Sequence, residues 1–147
     1  VKIHAFRNVE IEQNELNSKN ILFTMQPSFE IETSLINILR DFTINGFNIY
    51  FKLHPNSNPQ FKLIEQLSEE SGFYLINFDM NIYESLKNIR IHISGFSSSA
   101  LEARELDIHT YFLDPRAERL FSPLIQSNQA TLCSSPSELA QKIYQHD

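Results

Sequence analysis

The stretch Ile91–Asp107 reads IHISGFSSSALEARELD and holds a strand, a turn and a helix in one short run. An apolar strand is predicted over 89–94, then Gly95 with three serines, then an amphipathic helix over 97–106. Glycine followed by hydroxyl side chains at such a turn is typical of an anion site. The first backbone N–H groups of a helix lack partners, and the helix dipole favours negative charge there.

Two interpretations of the serine turn, Ser97–Ser99, stand side by side. The hydroxyls of Ser97, Ser98 and Ser99 are predicted to cap the first amides or to donate to a phosphate. Glu102 then lies on the same helix face, one turn further on. Residues 99–102, reading SALE, are also a capping box, in which the glutamate returns to its own helix start. The additional serines and Gly95 favour a ligand site.

The rest of the chain alternates between strands and helices. Strands are predicted over 21–25, 48–53, 73–78, 89–94, 108–113 and 130–133. Helices are predicted over 29–44, 58–71, 81–88, 97–106, partly over 116–127, and over 135–144. The strands are runs of Ile, Phe and Leu without polar alternation, which indicates a parallel sheet covered on both faces. The predicted fold is α/β, a Rossmann-like doubly wound sheet of about six strands in the order 3-2-1-4-5-6.

Length and composition limit the possible classes. The 147 residues suit one domain, with residues 21–147 as the Rossmann-like unit and residues 1–20 as a linker or the remnant of a preceding segment. A net charge of −6 without a Lys/Arg run argues against nucleic acid as a partner. The single cysteine, Cys133, fits a reducing compartment. The first residue is valine, which is consistent with a piece of a longer protein.

Ligands of such sheets bind beyond the carboxyl ends of the strands, where the strand order switches. Gln26 follows the first strand, His54 the second and the serine turn the fourth, so one crevice is predicted to hold all three. The chain has neither a G-x-G-x-x-G sequence after its first strand nor a Walker A sequence. The serine turn is therefore the predicted phosphate site.

His54 is the sharpest single candidate. Pro55 restricts the backbone before it to an extended shape, so that the imidazole can enter the crevice and donate to a phosphate oxygen. The alternative is a histidine in an ordinary loop. We predict no metal site, because the remaining histidines show no metal-ligand spacing with each other or with the cysteine: His4, His92, His109 and His146.

Two motifs carry a family resemblance, KLHPNSN at 52–58 and SGFSSSALEA at 94–103. Together they resemble the C-terminal, nucleotide-sugar-binding half of GT-B glycosyltransferases. The likeness is to bacterial capsule and lipooligosaccharide sialyltransferases and polysialyltransferases, and to CDP-glycerol glycerophosphotransferases. Non-hydrolysing UDP-N-acetylglucosamine 2-epimerases are similar too, although their paired glycines in the fourth turn are replaced here. The resemblance covers about Asn20 to Tyr144.

The resemblance implies a role for each matching residue. His54 would be the catalytic residue that contacts the donor phosphate, with Pro55 shaping its loop. The serine turn would hold the phosphate, and Glu102 would bind the ribose hydroxyls. Gln26, from the same crevice, completes the expected substrate-binding set.

The implied function is donor binding in a GT-B glycosyltransferase of bacterial surface polysaccharide synthesis, with a CMP- or CDP-activated donor such as CMP-sugar or CDP-glycerol. No cofactor besides this substrate is expected. The family's acceptor-activating carboxylate lies in an N-terminal half, which this chain lacks, so a glycan acceptor would bind there and the isolated domain would be inactive. The resemblance implies a bacterial cytoplasmic location and leaves peripheral membrane association of the full-length protein open. The alternatives are half of an epimerase-like enzyme that binds a UDP-sugar, and a non-catalytic α/β interaction domain.

Overall fold

A computed structural model describes residues 19–54, 60–76 and 79–146. Six parallel strands form one sheet in the order β3-β2-β1-β4-β5-β6, which confirms the predicted topology. The strands are β1 (Asn20–Thr24), β2 (Asn48–Lys52), β3 (Phe73–Ile76), β4 (Ile91–Ser94), β5 (His109–Phe112) and β6 (Ala130–Leu132).

Seven helices are described around the sheet. They are α1 (Thr33–Ile44), α2 (Phe61–Leu67), α3 (Ile82–Leu86), α4 (Ser99–Glu105), α5 (Arg116–Leu120), α6 (Ser122–Gln126) and α7 (Pro136–His146). Gly46 follows α1 with φ +93°, as expected for the glycine that ends a helix in the left-handed region.

The two faces of the sheet are covered by different helices. One face carries Phe23, Phe51 and Ile93, which lie in one buried cluster with side chains of α1, α2 and α7. The opposite face packs in two smaller clusters, with Leu22 beside α3 and α4 and with Phe112 beside α5 and α6. Burial on both faces explains why the strands, apart from His92 and Ser94 on β4, lack polar alternation.

Several element bounds differ from the prediction. Helix α1 begins at Thr33 rather than 29, because Pro27–Ser28 and Phe29 turn back, with the Phe29 N–H donating to the Gln26 carbonyl at 3.1 Å. Helix α4 begins at Ser99 rather than 97, and the partly helical segment 116–127 is two short helices. Apolar periodicity detects the body of a helix well and its first turn poorly.

Several predictions fall wholly or partly outside the described residues. These are the linker over residues 1–20, Pro55 with the rest of its motif to 58, the start of the second helix at 58–59, and the end of the third strand at 77–78; β1 itself begins at Asn20. Among the residues that are described, no helix is long and apolar enough to cross a membrane.

Candidate functional site

The carboxyl ends of β2, β1 and β4 lie side by side, with β1 in the middle. His54 lies exposed, two residues beyond the end of β2. The serine turn follows β4, and Gln26 follows β1 two residues after its end. Because neighbouring strands are about 4.8 Å apart, the loops that carry these residues share one edge of the sheet. The confirmed strand order thus brings the three loops to one edge, and a single crevice that holds Gln26, His54 and the serine turn stays a prediction.

Gln26 connects two of these loops. Its side-chain Oε1 accepts a hydrogen bond from the backbone N–H of Phe96 at 2.8 Å, directly before the serine turn. The neighbouring Gly95 is buried, and a Cβ added there would lie 2.8 Å from the ring of Phe29. Gln26 and Phe29 therefore hold the turn after β4 close against the loop after β1.

Most backbone amides of the serine turn have partners inside the protein, and one partner is a serine hydroxyl of the turn itself, as in the predicted capping arrangement. The N–H of Ser97 donates to Ser94 Oγ at 2.8 Å, and the N–H of Ser99 donates to Ser97 Oγ at 3.2 Å. The next two amides, of Ala100 and Leu101, donate to backbone carbonyls of the turn. Most backbone N–H groups at the start of α4 therefore donate to acceptors within residues 94–98.

Among the described residues of the turn and of α4, Ser98 and Glu102 are open, and the hydroxyl hydrogen of Ser97 also lacks an acceptor. Ser98 is exposed, and neither its hydroxyl nor its N–H has a partner within the described part of the chain. The half-buried Glu102 carboxylate forms no hydrogen bond or ion pair with any described residue. The alternative capping box is not formed, because Ser99 directs its hydroxyl into the sheet instead. The open donors of Ser98 and the open carboxylate of Glu102 are available to a ligand.

A buried polar cluster lies beneath the serine turn and was missed in the sequence. The His92 ring is fully buried, with Nε2 at 2.8 Å from Thr24 Oγ1 and 3.2 Å from Ser99 Oγ. Its Nδ1 lies 2.8 Å from Thr110 Oγ1. Burial lowers the pKa of His92 from 6.5 to about 3, so the ring is neutral near pH 7. Ser99, predicted to bind substrate, thus uses its side chain within the protein.

Arg116 forms a second connection that the sequence did not reveal. Its guanidinium pairs with Asp114 through two bonds of 3.0 and 2.7 Å, and its carbon Cζ lies 4.1 Å from the centre of the Phe96 ring. A further bond of 3.3 Å reaches the carbonyl of Ser28. The Arg116 partner lowers the pKa of Asp114. The sequence Asp-Pro-Arg at 114–116 predicts a turn rather than a site. In the structure this segment connects the loops after β1, β4 and β5.

The sequence leaves two roles open for Lys52 at the end of β2, a cation of the site or a lysine of the strand. Its half-buried ammonium donates to the carbonyl of Met80, in the segment before α3. Burial lowers the pKa of Lys52, and the charge of Asp79 opposes that shift. The contact with Met80 supports the strand interpretation.

A cleft of about 210 Å3 opens at the same sheet edge, beyond the ends of β5 and β6. Phe29, Leu113 and Cys133 are among the residues that line it, and burial raises the pKa of the Cys133 thiol to about 12. In the described ranges, no three His, Cys, Asp or Glu side chains lie close enough together to hold a metal ion.

The sheet order and the helices on both faces define a Rossmann-like α/β domain, and two solved structures contain a part with a similar fold. A protein assigned as a UDP-N-acetylglucosamine 2-epimerase from Listeria monocytogenes matches 97% of this chain with a TM-score of 0.69 and 15% identity. The wall teichoic acid polymerase TagF matches 86% of this chain with a TM-score of 0.59 and 14% identity. These identities establish the fold alone.

The chain spans 39% of the epimerase chain and 34% of the TagF chain, so it corresponds to a part of each. No family model matches the sequence, and no curated protein matches it. The likeness therefore establishes a Rossmann-like fold, and the function must be argued from the site.

Proposed function

We propose that this chain is the donor-binding domain of a GT-B-type glycosyltransferase of bacterial surface polysaccharide synthesis. The donor is a CMP- or CDP-activated group, held beyond the carboxyl ends of β2, β1 and β4. The observation that carries the proposal is the open pair Ser98 and Glu102 on the turn after β4, at the sheet edge that also carries His54. This is the edge at which doubly wound sheets bind ligands.

The chemistry of these groups suits a nucleotide. The hydroxyl and backbone N–H of Ser98 are donors for a phosphate oxygen, and an imidazole at His54 is a further donor. A carboxylate such as Glu102 accepts hydrogen bonds from ribose hydroxyls. A leaving nucleotide gains negative charge during transfer, which donors fixed in advance stabilise. Pro55 shapes the histidine loop in this proposal, and Gln26 holds the turn in place.

The two structural neighbours support related but different versions of this function. TagF is a wall teichoic acid polymerase, and its likeness to this chain favours a transferase that builds a surface polymer. The sialyltransferase-like identity stays a proposal based on the sequence motifs. The longer protein would bind its glycan acceptor through a separate N-terminal domain, and peripheral membrane association of that protein belongs to the same proposal.

The second candidate is half of a UDP-N-acetylglucosamine 2-epimerase-like enzyme. The neighbour assigned to that activity has the higher TM-score, 0.69, and matches almost the whole chain. The two candidates share the fold and the anion site and differ in the nucleotide. A uridine nucleotide would therefore be preferred if the second candidate is right.

Nucleotide titration of the 147-residue chain, followed by NMR, tests the proposal. Millimolar CMP or CDP should shift the signals of His54, Ser98 and Glu102. Ser98→Ala should weaken CDP binding by about tenfold, the loss expected for one hydrogen bond to a charged group. Ser137→Ala is the matched control, because this serine is equally exposed but lies on α7.

Three outcomes are informative. Preference for CMP or CDP supports the transferase, and preference for UDP supports the epimerase-like alternative. Absence of binding by all three nucleotides would overturn both proposals and favour the non-catalytic interaction domain.

A further inference from the structure

A continuous chain of hydrogen-bonding groups connects the interior of the sheet with the serine turn. It runs from Thr110 on β5 through His92 on β4 and Thr24 on β1 to Ser99 and Ser97. Each contact measures between 2.8 and 3.1 Å. The first four groups are buried, and Ser97 is half-buried at the surface end.

The direction of the hydrogen bonds is fixed at the surface end. The hydroxyl of Ser99 donates to Ser97 Oγ at 2.9 Å, and the N–H of Ser99 donates to the same oxygen. Ser99 Oγ must then accept from its other neighbours, Thr24 Oγ1 at 3.1 Å and His92 Nε2 at 3.2 Å. The hydroxyl hydrogen of Ser97 has no acceptor within residues 19–54, 60–76 and 79–146.

At the buried end of this chain of hydrogen bonds, Thr110 must likewise donate towards the serine turn. Thr110 is 1% exposed, and His92 Nδ1 is the only acceptor for its hydroxyl among the described residues. A Thr110 that accepted from Nδ1–H would leave its own hydrogen buried without a partner, which is unfavourable. Thr110 therefore donates, Nδ1 is unprotonated, and the neutral ring of His92 carries its proton on Nε2.

From this geometry, and resting on the proposed anion site, we infer that His92 is a positioning residue for the donor phosphate. In its Nε2–H tautomer it sets the direction of every bond from Thr110 to Ser99. This chain of hydrogen bonds ends at Ser97, whose Oγ accepts two bonds from Ser99 and whose hydroxyl hydrogen remains for a ligand. Bonds aligned in one direction polarise one another, so the terminal hydroxyl becomes a stronger donor. The open end of the chain thus selects a ligand with acceptor oxygens.

The tautomer is measured without any ligand, by long-range 15N–1H NMR of the ring. We expect His92 to carry its proton on Nε2 at neutral pH. Thr110→Val removes the donor to Nδ1 with little change in shape and should shift the Nδ1 resonance of His92. Thr131→Val is the matched control, because its hydroxyl lies 2.8 Å from Nε2 of a different histidine, His109. A proton on Nδ1, or an unmoved Nδ1 resonance in Thr110→Val, would overturn the inference.

The ligand end is tested with CDP, inorganic pyrophosphate and cytidine as probes. Ser97→Ala should weaken binding of CDP and pyrophosphate by about tenfold or more, because one bond to a charged group is lost, and should leave cytidine binding unchanged. Ser97→Thr keeps the hydroxyl and should restore binding. Unchanged CDP binding in Ser97→Ala, or an equal loss for cytidine, would overturn the role of Ser97 while the proposed function stands. If the wild-type protein binds no CDP, UDP or pyrophosphate, the proposed function is overturned, whichever tautomer of His92 is found.

Discussion

Lowering the pH from about 7.5 to about 5 should destabilise the fold through His92. Its ring is fully buried between β1, α4 and β5, and burial lowers its pKa from 6.5 to about 3. In the unfolded chain the same ring takes up a proton below pH 6.5, whereas in the native state it stays neutral until about pH 3. The stabilising contribution is therefore complete above pH 6.5 and is lost progressively as the pH falls towards 3.

The size of the effect follows from the two pKa values. At pH 5 the unfolded ring is almost fully protonated and the native ring is neutral, which costs about 2 kcal/mol of unfolding free energy. With a urea m-value of about 2 kcal/mol/M, the unfolding midpoint should fall by about 1 M. Other groups change in the same direction, because burial also lowers the pKa of His109 and ion pairing lowers those of Glu70 and Asp114.

The assay therefore compares urea unfolding at the two pH values in the wild type and in His92→Asn. The variant should be less stable at pH 7.5 but should lose about 2 kcal/mol less on acidification. His109→Asn is the matched control. It should remove a smaller part of the stability loss between pH 7.5 and pH 5, because the His109 ring is only partly buried. An unchanged pH dependence in His92→Asn would refute the reasoning. If that variant does not fold, His92→Gln serves the same comparison.

Three further predictions concern the packing around the site. Gly95→Ala should lower the free energy of unfolding by about 1–3 kcal/mol, because its Cβ would lie 2.8 Å from the Phe29 ring. Urea unfolding measures this loss, and the additional substitution Phe29→Leu should reduce it. Gln26→Ala should cost about 1–3 kcal/mol, since the partly buried N–H of Phe96 loses its acceptor, and an unchanged Phe96 amide exchange rate would contradict this. Leu39→Ala on α1 should lower the free energy of unfolding by about 2–5 kcal/mol, because this side chain is 0% exposed in the main core. Thermal or urea unfolding measures the loss, and Leu120→Ala, which changes an exposed side chain, is the control.

The strand order was predictable, and with it the edge that carries the loops after β1, β2 and β4, because both follow from local patterns and general rules. The strand at 48–53 is recognisable by its apolar centre, Ile49 to Phe51, and right-handed crossovers leave few arrangements. The polar residues that follow the strands, such as Gln26 and His54, then had to meet at one edge. The roles assigned to His54, Pro55 and Glu102 stay predictions.

Other features were not predictable because they depend on how separate strands and loops meet. The guanidinium of Arg116 over Phe96 joins two loops that no local pattern relates. The chain of hydrogen bonds through His92 depends on the register of β1, β4 and β5, in which His92 pairs with Leu22 and Thr110. Polar residues at alternate positions of β4, His92 and Ser94, were the one signal in the sequence for a polar layer on that face.

By itself, the sequence of this protein determined a parallel α/β sheet, its strand order and the edge at which polar loops collect, because apolar runs and turn residues act locally. Only the tertiary structure decided which hydroxyls of the serine turn remain available to a ligand. Ser99 turns inward to His92, while the hydroxyl hydrogens of Ser97 and Ser98 have no acceptor among the described residues. That division depends on hydrogen bonds between residues about 70 positions apart, such as Thr24 with His92 and with Ser99, and no local pattern encodes a distance of that kind.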